Sequence, residues 1–132
     1  MIIKLESSHS DIIHLLGLAA SQPENEMEKY LMNNNRTLFL NYENDTLVGL
    51  IGVLAVEDEL LEITHIAVAE GYRAKQIGSQ MIAYLFKHLS FSRIVAETDK
   101  DAVGFCQKYG FVVQSLGEKY PNVERFYCEI IG

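Results

Sequence analysis

Residues 73–79 have the composition of an anion-binding turn. They separate an apolar, β-prone run that ends at Val68 from a stretch with helical periodicity that begins at Ile77. The first N–H groups of a helix have no partner within the helix, and the helix dipole adds about half a positive charge there. The chemistry expected at this turn is therefore the binding of a phosphate or pyrophosphate.

Small and cationic side chains within the turn favour this interpretation. Arg73 and Lys75 add positive charge, and Gly78 lets a ligand approach the backbone closely. Gln76 permits the same approach only if its side chain points away from the ligand. The residues expected to contact the anion are Arg73, Ala74, Lys75, Gln76, Ile77, Gly78 and Ser79.

Two titratable side chains precede the turn, on the β-prone run 60–68. A carboxylate on a central strand is unfavourable unless it is paired or used, which makes Glu62 a candidate for proton transfer. His65 is either a hydrogen-bonded core histidine or a base or proton relay. The apolar pattern also shifts phase, since Leu61 and Ile63 fall on one face but Ile66 on the other. Either both faces of this strand are buried, or a β-bulge restores the phase.

Composition limits the possible partners. The chain has 132 residues, a length typical of one domain, and a net charge of −7. An acidic surface repels nucleic acid and anionic lipid, so neither is expected as a partner, whereas a cationic substrate is compatible with it. Cys106 and Cys128 form no CxxC pair and predict neither a metal site nor a disulfide framework. No signal peptide or membrane-spanning run is recognisable, so we expect a cytoplasmic protein.

Periodicity and turn residues predict an α/β protein with the order βααβββαβαββ. Strands are expected at 2–6, 37–42, 46–55, 60–68, 93–97, 111–116 and 124–131. Helices are expected after a cap at Ser10 or Asp11, at 24–32, from Ile77 onward and at 101–109. This mixed order predicts a sheet with helices on both faces.

The order of elements and two motifs resemble the GNAT superfamily of acyl-CoA-dependent N-acyltransferases. The cofactor signature of that family is Arg or Gln, two residues, Gly, one residue, then Gly or Ala. Here it reads Arg73-Ala74-Lys75-Gln76-Ile77-Gly78, with Gln76 at the first glycine. The segment 98–111 is similar to the strand–helix–Gly-Phe element of the family, with Asp99 where Asn is usual and Cys106 where Tyr is frequent.

The resemblance implies one domain over residues 1–132, with a mixed sheet of six to seven strands whose central strands splay apart. It implies that acetyl-CoA is the co-substrate, with its pyrophosphate at the turn and its pantetheine arm along Ile66, Ala67 and Val68. Asp99 falls on the second motif and joins the cofactor-binding set. Glu62 matches a position where some members keep a glutamate base. Cys106 or Tyr120 is the candidate replacement for the usual tyrosine acid.

Two functions remain open at this point. One is transfer of an acetyl group to a primary amine, on a cationic small molecule or a protein, which the acidic residues 57–59 and Glu62 favour. The other is an acyl-CoA-binding regulatory module with little catalysis, which the departures at Gln76 and Cys106 favour. The sequence also leaves open whether the chain forms a homodimer.

Overall fold

A computed structural model describes residues 1–57, 59–73, 75–100 and 102–132, apart from the side chains of Lys119 and Tyr120. The predicted roles of Ala74 and of the Tyr120 side chain therefore lie outside the described residues, as does Asp58 of the acidic segment.

The described residues form a seven-stranded mixed sheet. The strands are β1 (Ile2–Lys4), β2 (Arg36–Glu43), β3 (Thr46–Glu57), β4 (Leu60–Val68), β5 (Arg93–Asp99), β6 (Val112–Tyr120) and β7 (Val123–Ile131). Their spatial order is β1-β2-β3-β4-β5-β7-β6. Only the β4–β5 pair is parallel among these neighbours. The predicted mixed α/β sheet is confirmed.

Helices cover both faces of the sheet, as predicted. They are α1 (Ser10–Leu16), α2 (Pro23–Met32), α3 (Ile77–His88) and α4 (Val103–Tyr109). Side chains alternate along β2, so Leu38 and Leu40 pack in the cluster under α1 and α2, while Phe39 packs in the cluster under α3 and α4. None of the described helices is long and apolar enough to cross a membrane.

Most predicted boundaries lie within two residues of the observed ones, and two of the differences have a clear local reason. Helix α1 starts at Ser10 after His9, with no side-chain cap, and the Asp11 carboxylate instead accepts the N–H of the next residue at 3.0 Å. The predicted loop 117–122 is mostly strand, because β6 continues to Tyr120 through two register shifts. Local turn residues predicted a break that pairing with β7 overrides.

A β-bulge interrupts β4 in the middle of the sheet. Gly52 of β3 pairs with His65, but Val53 pairs with Ile63, so Thr64 is the extra residue. Of the two alternatives left by the sequence, the bulge is the one observed. It places four apolar side chains of β4 on the α3–α4 face, namely Leu61, Ile63, Ile66 and Val68. Thr64 and His65 contact Tyr30 of α2, and Glu62 borders the same cleft as Glu26 of α2.

Beyond the bulge, β4 and β5 separate. Their paired residues run from Leu60 opposite Arg93 to Glu62 opposite Val95, and the pairing of described residues ends there. Both strands continue, β4 to Val68 and β5 to Asp99. The predicted splay of the central strands is confirmed, and it opens a gap in the sheet.

Packing of α3 onto β3 depends on the absence of a side chain at Gly49. A Cβ atom there would lie 2.8 Å from Ile77 Cγ2 and 3.1 Å from Met81 Cε. We expect Gly49→Ala to lower the free energy of unfolding by about 1–3 kcal/mol, because it overpacks this contact. Denaturant unfolding monitored by circular dichroism measures the change.

The matched control is Gly104→Ala in α4, where a Cβ atom would meet nothing within 4 Å. That substitution should be neutral or stabilising by up to about 1 kcal/mol, because alanine is the better helix former. Equal stabilities for the two variants would contradict the proposed packing of α3.

Candidate active site

The gap between β4 and β5 exposes peptide groups of β4. The Ala69 N–H donates to the Val48 carbonyl at 2.8 Å. Because antiparallel bonding alternates, Ala67 and His65 also face β3, whereas the peptide groups of Ile66 and Val68 face the gap. Arg73 Nε donates to the Val68 carbonyl at 3.3 Å. The N–H group of Ile66 therefore points into open space between the strands.

A second set of N–H groups lies at the start of α3. The first bond of this helix runs from the Gln80 N–H to the Gln76 carbonyl at 3.0 Å. The N–H groups of Ile77, Gly78 and Ser79 make no hydrogen bond to another residue that the structure describes. Gln76 adopts a left-handed conformation, with φ 60° and ψ 27°. The glutamine therefore takes a backbone conformation that glycine adopts at no steric cost.

Gly78 serves helix packing as well as ligand access. A Cβ atom at this position would lie 3.0 Å from Phe105 Cζ of α4. The glycine therefore lets α4 approach the first turn of α3. The turn composition predicted glycine here for ligand approach alone, and the packing role is a feature of the tertiary structure.

A cleft runs along the gap in three adjoining parts that share lining residues. At the start of α3 it has a volume of about 760 Å³, and seven of the predicted residues line it: Ile66, Ala67, Val68, Arg73, Gln76, Gly78 and Ser79. A second part of the cleft, of about 340 Å³, lies between the strands, and Phe105 lines both this part and the first. Asp99 and Cys106 also line the second part. A third part of the cleft, of about 570 Å³, lies beside α2. Thr64 and His65 line both the second and the third part.

Two residues of the predicted cofactor set direct their side chains elsewhere. Lys75 extends over the Tyr72 ring, with Nζ 5.2 Å from its centroid, and its N–H donates to the Tyr72 carbonyl at 3.2 Å. The Ile77 side chain is buried in the core, so only its N–H group is available to a ligand. Asp99 borders the cleft, and its carboxylate accepts the Ala102 N–H at 3.1 Å just before α4.

Three carboxylates border the part of the cleft beside α2, and Glu62 differs from the other two. Glu26 lies 3.1 Å from Arg36, and Glu97 lies 3.2 Å from Arg125. The Glu62 carboxylate makes no hydrogen bond or ion pair with another residue in the described part of the chain. It is half-buried on a central strand and free to bind a ligand or accept a proton.

Cys106 is a core residue in this structure. Its side chain is 8% exposed and lies beside the fully buried Cys128. Burial, together with Cys128, raises the pKa of the Cys106 thiol to about 12. A thiol with this pKa is a poor proton donor to a departing thiolate, so the arrangement does not support the predicted acid role.

Tyr30 of α2 is the site residue that sequence reasoning missed. Its hydroxyl bonds to His65 Nδ1 at 2.6 Å and to the Thr64 hydroxyl. His65 Nε2 lies 3.5 Å from Glu26, and the Arg36 guanidinium lies over the Tyr30 ring at 4.5 Å. His65 is thus hydrogen-bonded and nearly buried, which matches the first of its two predicted alternatives. No local pattern links Tyr30 to a strand 34 residues away.

Comparison with known proteins agrees with this architecture. Residues 9–111 match the Acetyltransferase (GNAT) family. An uncharacterized N-acetyltransferase from the lysA 3′ region of Bacillus methanolicus is 41% identical over 59 residues, which are 45% of this chain and 49% of that protein. The match therefore spans about half the length of this relative.

Solved structures share the fold over nearly their whole length. An aminoglycoside 6′-N-acetyltransferase complexed with coenzyme A superposes with a TM-score of 0.81 at 18% identity, covering 99% of this chain and 96% of that one. A GNAT family acetyltransferase from Elizabethkingia anophelis with acetyl-CoA bound gives a TM-score of 0.78 at 22% identity, covering 100% and 97%. The family match over residues 9–111, with the fold and splayed sheet just described, shows that this chain belongs to the GNAT acetyltransferase family.

Proposed function

We propose that this protein transfers an acetyl group from acetyl-CoA directly to a primary amine of a cationic small molecule. The observation that carries the proposal is the cleft that crosses the sheet between β4 and β5. Free N–H groups lie along one end of it, and an unpaired carboxylate lies at the other. Such an arrangement holds two substrates on opposite sides of one opening.

The end of the cleft at α3 suits the pyrophosphate of coenzyme A. The N–H groups of Ile77, Gly78 and Ser79 are directed outward at the positive end of the helix dipole, and Arg73 borders the same space. The unpaired peptide edge of β4 suits the amide groups of the pantetheine arm, which would pair with it as a further strand does. The Ile66 N–H is then placed to polarise the thioester carbonyl, a contribution of about 3 kcal/mol for one donor.

The end of the cleft beside α2 suits the amine. At pH 7.4 only about one in a thousand amines with a pKa of about 10.4 is neutral. Glu62 is proposed to accept the proton as the amine nitrogen bonds to the carbonyl carbon and the carbon–sulfur bond breaks. The remaining carboxylates, Glu26 and Glu97, favour an acceptor with further positive charge. The aminoglycosides acetylated by the structural neighbour are of this class.

The departing group does not require a strong acid. A thiol has a pKa of about 8.5, so its thiolate is stable enough to leave unprotonated near neutral pH. This removes the need for Cys106 as a donor. Tyr120 remains a candidate acid or substrate contact on sequence grounds alone.

The alternative function, an acyl-CoA-binding module without catalysis, is favoured by the strained Gln76 and the buried Cys106. Thiol release from acetyl-CoA separates the two, measured with spermidine, kanamycin and a lysine-containing peptide as acceptors. We expect release that depends on the amine and is fastest with a polycation. Tight acetyl-CoA binding with no release for any of the three would support the binding module instead.

Two substitutions at Ser79 test whether the pyrophosphate binds at the α3 end of the cleft. Ser79→Glu places a negative charge beside the free N–H groups and should weaken acetyl-CoA binding about tenfold or more, equivalent to about 1.4 kcal/mol. Ser79→Gln has nearly the same volume without the charge and should have a smaller effect. Isothermal titration calorimetry measures both, and equal affinities for the two variants would contradict a diphosphate site at this turn.

A substitution at Glu62 tests whether this carboxylate accepts the proton of the amine. We expect Glu62→Gln to lower kcat by about 10²–10⁴-fold, with the residual rate rising with pH as more of the amine becomes neutral. Acetyl-CoA affinity should be unchanged, because Glu62 lies at the far end of the cleft from α3. Steady-state kinetics from pH 6 to 9 with the best amine of the panel measure this.

The matched control is Glu6→Gln, which removes the same charge from an exposed position after β1, at the edge of the sheet. It should retain the wild-type pH profile. Wild-type turnover of Glu62→Gln across the pH range would exclude Glu62 as the base.

A further inference from the structure

We infer that Tyr30 is a positioning residue, whose hydroxyl holds the β4 bulge in the form that directs the Ile66 N–H into the gap. The inference rests on the proposed acetyl transfer, because that N–H is the group proposed to polarise the thioester. Tyr30 itself is not among the residues that border the cleft. It acts on the reaction only through the backbone of β4.

The contacts of the Tyr30 hydroxyl coincide with the register shift. It bonds to the side chains of Thr64 and His65, the extra residue of the bulge and the residue that follows it. In a regular strand two consecutive side chains point to opposite faces, so one group on one face cannot reach both. Both contacts are available only while the bulge is present, and they therefore stabilise the bulged form over a regular strand.

Tyr30 is itself held firmly over the sheet. Its side chain is 6% exposed, and its hydroxyl lies so close above β3 that a Cβ atom on Gly52 would come within 1.8 Å of it. Gly52 is also the strand partner of His65. The glycine therefore creates the space through which a side chain of α2 reaches the bulge. The Arg36 guanidinium lies over the Tyr30 ring, 4.5 Å from its centroid, and is paired with Glu26.

The protonation state of His65 suits this role. Burial lowers the pKa of His65, and Arg36 and Lys29 act in the same direction, while Glu26 opposes them. The lowered pKa favours a neutral ring. In the tautomer that carries its proton on Nε2, Nδ1 accepts the proton of the Tyr30 hydroxyl and Nε2–H faces Glu26. The hydroxyl oxygen remains free to accept from Thr64.

The bulge determines what faces the gap. A strand without the extra residue would be displaced by one position, which reverses the direction of every side chain and peptide group beyond it. The Ile66 N–H would then bond to β3, and the Ile66 side chain would turn toward α1. A hydrogen bond that holds Thr64 in the bulge therefore also fixes the direction of the Ile66 N–H.

The test compares Tyr30→Phe with the wild type in three measurements. Hydrogen exchange at the His65 and Ala67 amides, which bond to β3, should accelerate about tenfold or more as the bulge loosens. The ¹³C signal of bound [1-¹³C]acetyl-CoA should move back toward its free position, because the carbonyl loses a well-directed donor. The acetyl-CoA affinity, measured by calorimetry, should stay within about threefold of wild type, since most of the binding surface is unchanged.

Tyr42→Phe is the matched control. Tyr42 packs against the same apolar cluster as Tyr30 but has no contact with the bulge among the described residues, so its loss should leave exchange and the ¹³C signal unchanged. If Tyr30→Phe does not fold, Thr64→Val removes one of the two hydroxyl contacts and should produce the same changes to a smaller degree.

Two negative results would contradict different proposals. A wild-type protein that does not bind acetyl-CoA would contradict the proposed function. A wild-type protein that binds it, with exchange and ¹³C signal unaltered in Tyr30→Phe, or in Thr64→Val where Tyr30→Phe does not fold, would overturn the positioning role alone.

Discussion

The extra residue at Thr64 is the constraint on which the rest of the structure depends. It places Ile66 and Val68 on the same apolar face as Leu61 and Ile63, so a single core under α3 and α4 covers the whole length of β4. Beyond the bulge, β4 no longer pairs with β5. One inserted residue thus preserves the burial of apolar side chains while it releases backbone groups from the sheet.

The gap separates two electrostatic environments in a chain with a net charge of −7. The end at α3 is locally positive, because the helix dipole, free N–H groups and Arg73 meet there. The end beside α2 carries three carboxylates, of which only Glu62 lacks a partner among the described residues. The net charge of the chain therefore does not predict which ligand each end of the cleft binds, because the local charge differs between the two ends.

The departures from the family motif have physical consequences. Gln76 adopts a left-handed conformation that costs about 1–2 kcal/mol in a residue with a Cβ atom. Gly78, which keeps the motif, lets Phe105 of α4 pack closely against the first turn of α3. Cys106 is buried beside Cys128, which raises the pKa of its thiol to about 12 and does not favour a role as proton donor. The strained backbone conformation of Gln76 persists because the packing around the start of α3 determines it.

The sequence by itself determined the element types, the turn before α3 and the existence of a phase change in β4, because each depends on residues that are neighbours in the chain. Periodicity alone did not distinguish a bulge from a strand buried on both faces, and turn residues alone ended β6 too early. Tertiary structure decided the contact between Tyr30 and the bulge, the isolation of Glu62 and the burial of Cys106. These depend on which side chains meet when distant elements pack, and spacing along one segment carries no information about that.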